Sequence, residues 1–176
     1  MDKVKKFIEG RRSIREYKDK AVSDDLIKEV IDAARLAPSG NNAQPSEYLV
    51  IKNSETKNKL RENRIFAQDF VYKAPVIIVC CTNPDAFVKS HKFDDYNNTR
   101  AVRDISIASS YLVLRATELG LGTCYIGWLD KEKIKGVLGI PKKCLVPYVI
   151  TLGYSAEKPQ MRQKKRLDEI VHWEKY

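Results

Sequence analysis

Imidazole is nearly missing from this chain: among 176 residues only His91 and His172 carry one. The four cysteines, Cys80, Cys81, Cys124 and Cys144, form no CxxC pair. So few nitrogen and sulfur ligands, at no metal-binding spacing, argue against a zinc site. No Ser-His-Asp set and no pair of catalytic carboxylates stands out. Apolar runs are short and none approaches a membrane span. The opening residues, MDKVKKFIEG, place charges where a secretory signal has its apolar stretch. These absences lead to the expectation of a cytoplasmic protein whose cysteines are free core thiols.

What is present is an ordinary globular composition, 43% hydrophobic and 31% charged. The length suits one domain with a real core. The net charge of +9 admits a nucleic-acid-binding module. The basic residues are scattered, however, with short clusters only at KVKK and RQKKR, and no aromatic-interleaved basic stripe or RRM signature occurs. A local site for a small anion accounts for the charge equally well.

Periodicity places helices and strands in alternation. Val4, Phe7 and Ile8 lie at helical spacing ahead of Gly10. Ser23 caps a second helix that carries Leu26, Val30, Ala33, Ala34 and Ala37 on one face and stops at Pro38-Ser39-Gly40. SEYLVIK, 46–52, reads as a strand, and Ser54 as the cap of a short helix. PVIIVCCT, 75–82, is a continuous apolar run that suits a strand covered on both faces. Residues 83–101 are weakly periodic and read as a loop or short helices, with Phe87, Phe93 and Tyr96 as candidates to line a substrate pocket. RDISIASSYLVLRATELG is apolar around nearly its whole circumference and reads as a buried central helix. TCYIGWL follows as a strand, Asp130 caps a helix closed by Gly139 and Pro141, and 144–154 form a last strand in which Pro147 implies an edge or a bulge. The class is α+β or α/β with a central sheet under helices. The last 22 residues are polar and cannot form a core alone.

Three stretches carry chemistry. In RRSIREY, 11–17, an extended backbone puts Arg11, Ser13 and Arg15 on one face and Arg12 and Ile14 on the other. Two guanidinium groups beside a hydroxyl suit a phosphate; a solvated basic strand has the same pattern. APSGNNAQPSEY, 37–48, is a rigid irregular turn whose Asn41, Asn42 and Gln44 amides donate and accept. GLGTCYIG, 120–127, resembles a dinucleotide fingerprint but puts Tyr125 where the third glycine belongs and runs from helix to strand. Its glycines end the helix and let backbone approach a ligand.

Taken in order, RRSIR, APSGNNAQP, GLGTCYIG and the basic tail resemble the nitroreductase family of FMN-dependent NAD(P)H oxidoreductases in its short form, across essentially the whole chain. The resemblance implies an α+β fold with a central, mostly antiparallel sheet, an intertwined homodimer, and FMN at the interface. Residues 1–154 would form the FMN-binding domain and 155–176 a tail crossing to the partner subunit. Carried over by position, Arg11, Arg12, Ser13 and Arg15 form the FMN-binding arm, with Arg15 toward the flavin's N1 edge. Lys164 and Arg166 join them near the phosphate. Pro38, Ser39, Gly40, Asn42 and Gln44 meet the flavin from the other chain, and Ile126 and Gly127 lie beside its N5 edge. Gln68, Asp69 and Lys73 are the candidates for its pyrimidine edge. The implied activity is electron transfer from NAD(P)H to nitroaromatic, quinone or related small acceptors. The alternatives are other flavin chemistry on the same fold, such as dehalogenation or flavin-consuming reactions, and the nucleic-acid-binding module.

Overall fold

A computed structural model of the chain describes residues 3–87 and 96–176. Four strands, β1 (Ser46–Ile51), β2 (Val76–Thr82), β3 (Gly122–Ile126) and β4 (Leu145–Gly153), form one sheet in the order β1-β2-β4-β3. Every pairing between them is antiparallel. Helices cover both faces. Helices α2 (Asp24–Arg35) and α5 (Tyr96–Glu118) pack on one; α3 (Ser54–Glu62), the single turn α4 (Phe70–Lys73) and α6 (Lys131–Leu138) pack on the other. Among the described residues no helix is long and apolar enough to cross a membrane.

Strand β2 shows why its sequence is continuously apolar. Val76, Ile78 and Cys80 enter the core under α2 and α5, while Ile77, Val79 and Cys81 enter the core under α3 and α6. Alternation on a strand points successive residues to opposite faces, and here both faces are dry. Pro147 proves to lie at a bulge on an inner strand. Cys80 faces Tyr148 and Thr82 faces Leu145, so β4 carries one extra residue there. On its other side β3 ends opposite Val149, so no ladder bond is asked of the proline.

Three local expectations are revised. The cap of α3 is Asn53, whose side chain accepts from Glu55 and Thr56 N–H, and Ser54 is the first helical residue. Either side chain can cap, and the backbone turns one residue earlier than expected. Helix α5 is not buried all round: Ile105, Leu112 and Ala116 are sealed, but Ile107 is 36% and Tyr111 44% exposed. Of the weakly patterned region, Phe87 is buried with the Arg100 guanidinium over its ring at 4.2 Å, so it packs rather than lines a pocket. Phe93 lies outside the described residues, and Tyr96 opens α5. The caps at Ser23 and Asp130 and the left-handed Gly139 that ends α6 are as the sequence indicates.

Ahead of α2, the segment after α1 (Lys3–Gly10) docks against the free edge of β3. Ser13 bridges Thr123 in parallel, and Ile14 N–H donates to Thr123 O at 2.8 Å. Ile14 is buried and lies over Gly122 so closely that a Cβ there would sit 2.7 Å from its side chain. Gly122 therefore admits the protein's own arm and not a ligand, which corrects the expectation drawn from GLGTCYIG. Further along, the Tyr17 hydroxyl bonds Ile14 O at 2.8 Å and Thr151 Oγ1 at 2.6 Å. The start of the tail closes over the same segment: Ser155 bridges Tyr17, and Ala156 N–H donates to Glu16 O at 2.9 Å.

Gly122→Ala is expected to cost about 1–3 kcal/mol by overpacking against Ile14. Urea unfolding measures it, and Ile14→Ala in the same chain should recover part of the loss; simple additivity would show that the two residues do not share this contact.

Candidate functional site

The arm is extended, and its side chains divide as the strand pattern requires except at Arg12. Ile14 goes inward. Arg11, Ser13 and Arg15 line a cleft of about 290 Å³ with Ile8 and the tail residues Pro159–Arg162 and Lys164. Arg12 also reaches the cleft, but its Nη1 turns back to the carbonyls of Glu9 at 2.6 Å and Arg11 at 2.8 Å. It thereby caps the last turn of α1, a favourable place for a cation. Its Nε is buried with no hydrogen-bond partner. Five cationic side chains thus converge on one concavity, and no carboxylate forms an ion pair with any of them among the described residues. Such a cluster repels itself, and an anion with several acceptor oxygens would relieve it.

Of the tail's basic residues, Lys164 joins the cleft. Arg166 does not. Its guanidinium is held by Asp168, Nε to Oδ1 at 3.0 Å and Nη2 to Oδ2 at 2.7 Å. Arg162 lines the cleft instead, and the sequence pattern offered no sign that distinguished it from its basic neighbours. Glu157 is another residue that the sequence concealed. Its Oε1 accepts the backbone N–H of Arg15 at 2.5 Å and of Glu16 at 3.1 Å. It ties tail to arm through backbone and forms no ion pair with the guanidinium groups among the described residues.

Cys124 lies on β3 next to the arm. Burial pushes its thiol above the ordinary range, while Arg15, Ser13 and Arg11 pull the other way. It is 3% exposed, and its placement is that of a core thiol beneath the cleft. At the end of the same strand Ile126 is buried and Gly127 is exposed. A Cβ on Gly127 would meet nothing within 4 Å, so the chain's own packing does not call for a glycine there. The space beside it is open for something else.

The turn after α2 forms a second, separate cleft. Pro38, Ser39 and Gln44 line it with Ala34, Tyr48 and Ala108, and it shares no residue with the arm cleft. Gly40 and Asn42 lie in its 3-10 turn and are not among its lining residues. Asn41, Asn42 and Gln44 all have left-handed backbones, φ 55°, 53° and 49°. Non-glycine residues rarely adopt this region, and clusters of them persist only where surroundings over-determine them. Here Ser39 Oγ accepts Gln44 N–H at 3.0 Å, and Asp104 Oδ2 on α5 accepts Gly40 N–H at 2.7 Å. Asp104 is 3% exposed and meets Arg103 Nε at 3.3 Å. It was invisible in sequence, since a lone acid inside an apolar helix has no motif around it.

The pyrimidine-edge candidates show no such convergence. Asp69 pairs with Lys73 at 2.6 Å and Arg61 at 3.2 Å, and Gln68 is exposed. Among the described residues no group of three or more His, Cys, Asp or Glu could hold a metal ion.

The sequence model of the nitroreductase family matches residues 8–65 and 63–154. A protein of Methanothermobacter thermautotrophicus, provisionally named an NADH dehydrogenase/NAD(P)H nitroreductase, is 36% identical over 178 residues, covering 98% of this chain and 87% of that one. The crystal structure of a nitroreductase family protein from Clostridium difficile superposes with a TM-score of 0.86 at 29% identity, with all of both chains covered. An NADPH:FMN oxidoreductase from Vibrio harveyi, crystallised in complex with NAD+, gives a TM-score of 0.86 at 25% identity over 99% of this chain and 78% of that one. The match spans the arm, the turn and both cores, and this chain belongs to the nitroreductase family.

Proposed function

We propose that the chain is an FMN-dependent oxidoreductase that takes electrons from NAD(P)H and delivers them to small acceptors, nitroaromatic, quinone or related, as a homodimer. The observation that carries this reading is the arm cleft. A phosphomonoester brings roughly two negative charges at neutral pH, and five cations with no ion pair among the described residues, one with a buried unpartnered Nε, are gathered where the arm meets β3. Arg11, Ser13 and Lys164 would hold the phosphate. Arg15 would supply positive charge that makes the flavin easier to reduce. Arg12 contributes charge to the cleft while it caps α1. The open side of Gly127 gives a flat ring room beside backbone. FMN supplies the redox step itself, accepting a hydride from the nicotinamide and passing electrons on.

The second cleft supports the reading that a partner copy completes the site. Residues 38–44 are held in a strained, pre-formed shape by Ser39 and Asp104, yet in one chain they lie apart from the arm. The reading that they meet the flavin of the other subunit gives that strain a purpose. The dimer reading is also supported by the apolar side chains that the single chain leaves out: Val4 and Ile8 on α1, Ile107 and Tyr111 on α5, and Leu167, Ile170 and Trp173 in the tail. Burial at about 25 cal/mol per Å² would make covering them strongly favourable.

In this reading one flavin face serves donor and acceptor in turn, since no dinucleotide fingerprint is found in the sequence. The kinetics are therefore ping-pong.

The purified protein should be yellow, and Arg11→Ala should weaken FMN binding by about 1.5–3 kcal/mol, the scale of a charge-assisted hydrogen bond. Fluorescence titration of the apoprotein with FMN measures this, and unchanged affinity would remove Arg11 from the phosphate site. Asp104→Ala should lower stability by about 1–3 kcal/mol by orphaning Gly40 N–H, with Asp104→Asn retaining most of it in thermal unfolding. Steady-state plots at several acceptor concentrations should be parallel; intersecting lines would show that donor and acceptor bind together.

A further inference from the structure

Trp128 is left outside by a loop that is otherwise tightly built. It follows Gly127 at the end of β3 and is 76% exposed. Its neighbours are fixed: Leu129 bridges Phe66, and Asp130 N–H donates to Ile65 O at 2.9 Å. Ile65, Phe66 and Leu129 are buried, and Tyr72 clamps Phe66 by accepting its N–H at 2.7 Å and donating to its carbonyl at 3.0 Å. Antiparallel pairing of Leu129 with Phe66 turns Trp128 and Ala67 to the outer face. Together with Arg64 and Asp130 they form a cleft of about 290 Å³. Arg64 enters it from a left-handed backbone, φ 52°, and its guanidinium makes no ion pair among the described residues. A rigid indole face beside an uncommitted guanidinium is the arrangement that stacks a nucleobase and meets its phosphate.

We infer that Trp128 and Arg64 form the docking site for the adenine-nucleotide half of NAD(P)H, the indole stacking on the adenine and the guanidinium bonding phosphate oxygens. This rests on the proposed redox function, in which the nicotinamide reacts beside Ile126 and Gly127. The chain has no glycine-rich loop to grip a pyrophosphate, so the non-reacting half of the donor needs another hold. The loop that continues directly from the reactive edge presents one. Asp130 does not oppose the phosphate, since its carboxylate is engaged by Lys133, through the backbone N–H at 3.0 Å and Nζ at 3.3 Å.

The test uses the FMN-loaded protein and stopped-flow reduction by three donors: NADH, NADPH and reduced nicotinamide mononucleotide, which lacks the adenosine. Trp128→Ala should raise the dissociation constants of NADH and NADPH about tenfold, the scale of one lost base-aromatic stack. The constant for reduced nicotinamide mononucleotide should not move. Trp128→Tyr should restore most of the affinity, and Arg64→Gln should weaken both dinucleotides and flatten their salt dependence. Equal losses with all three donors, slower reoxidation by a quinone, or dissociation of the oligomer in size-exclusion chromatography would overturn the inference, by placing Trp128 at the reacting ring, at the acceptor or against a partner chain. Normal reduction with unaltered donor affinity would overturn it alone. A yellow protein that no nicotinamide nucleotide reduces would overturn the proposed function with it.

Discussion

The seam between the arm and the edge of β3 is the contact on which the site depends. A single backbone hydrogen bond, Ile14 to Thr123, sets the register. In a strand, register decides which side chains face which way. With Ile14 driven over Gly122, Arg11, Ser13 and Arg15 have to face outward together. A slip by one residue would bury a guanidinium and turn Ile14 to water, so the apolar contact enforces the polar one. Tyr17 and Glu157 hold the segment further along from the sheet side and the tail side. The tail thus belongs partly to the cleft even within one chain.

Charge is handled differently on the two sides of the molecule. On the surfaces of α2, α3 and α6 acids and bases pair locally, as in Asp32 with Arg35, Glu55 with Lys59 and Asp130 with Lys133. Exposed pairs of this kind contribute little to stability. At the arm, Glu157 accepts backbone N–H groups and forms no ion pair among the described residues. An uncompensated cation cluster costs the free chain stability, and the cost is recovered when an anion binds. Asp104 shows the same economy at the turn, where a buried acid is used to hold backbone and shapes a loop that the local sequence would not adopt unaided.

Much of this was legible in sequence where a short-range rule applies. The double-sided burial of β2 follows from its unbroken apolar run, the caps at Ser23 and Asp130 from their position ahead of helical periods, and the opposition of Ile14 to Arg11, Ser13 and Arg15 from strand alternation, though not the place of Arg12. Long-range pairings were not legible. Nothing in GLGTCYIG says that Gly122 is small for the sake of Ile14, and nothing near Asp104 says that it reaches Gly40, 64 positions away. Arg166 and Arg162 illustrate the limit: a basic tail announces an anion site, but an acid two residues along diverts one arginine and leaves the other free to line the cleft. The exposed face of α5 was hidden for a related reason, because apolar residues left at the surface read the same in sequence as residues that face their own core.

The buried thiols carry a chemical consequence. All four cysteines are buried, and burial pushes Cys80 and Cys81 up to about 12. Peroxide attacks thiolates, so at neutral pH these sulfurs offer it almost no target. Cys80, Cys81 and Cys124 lie in the two cores that flank the sheet, so resistance to thiol oxidation becomes a property of the same packing that holds the sheet.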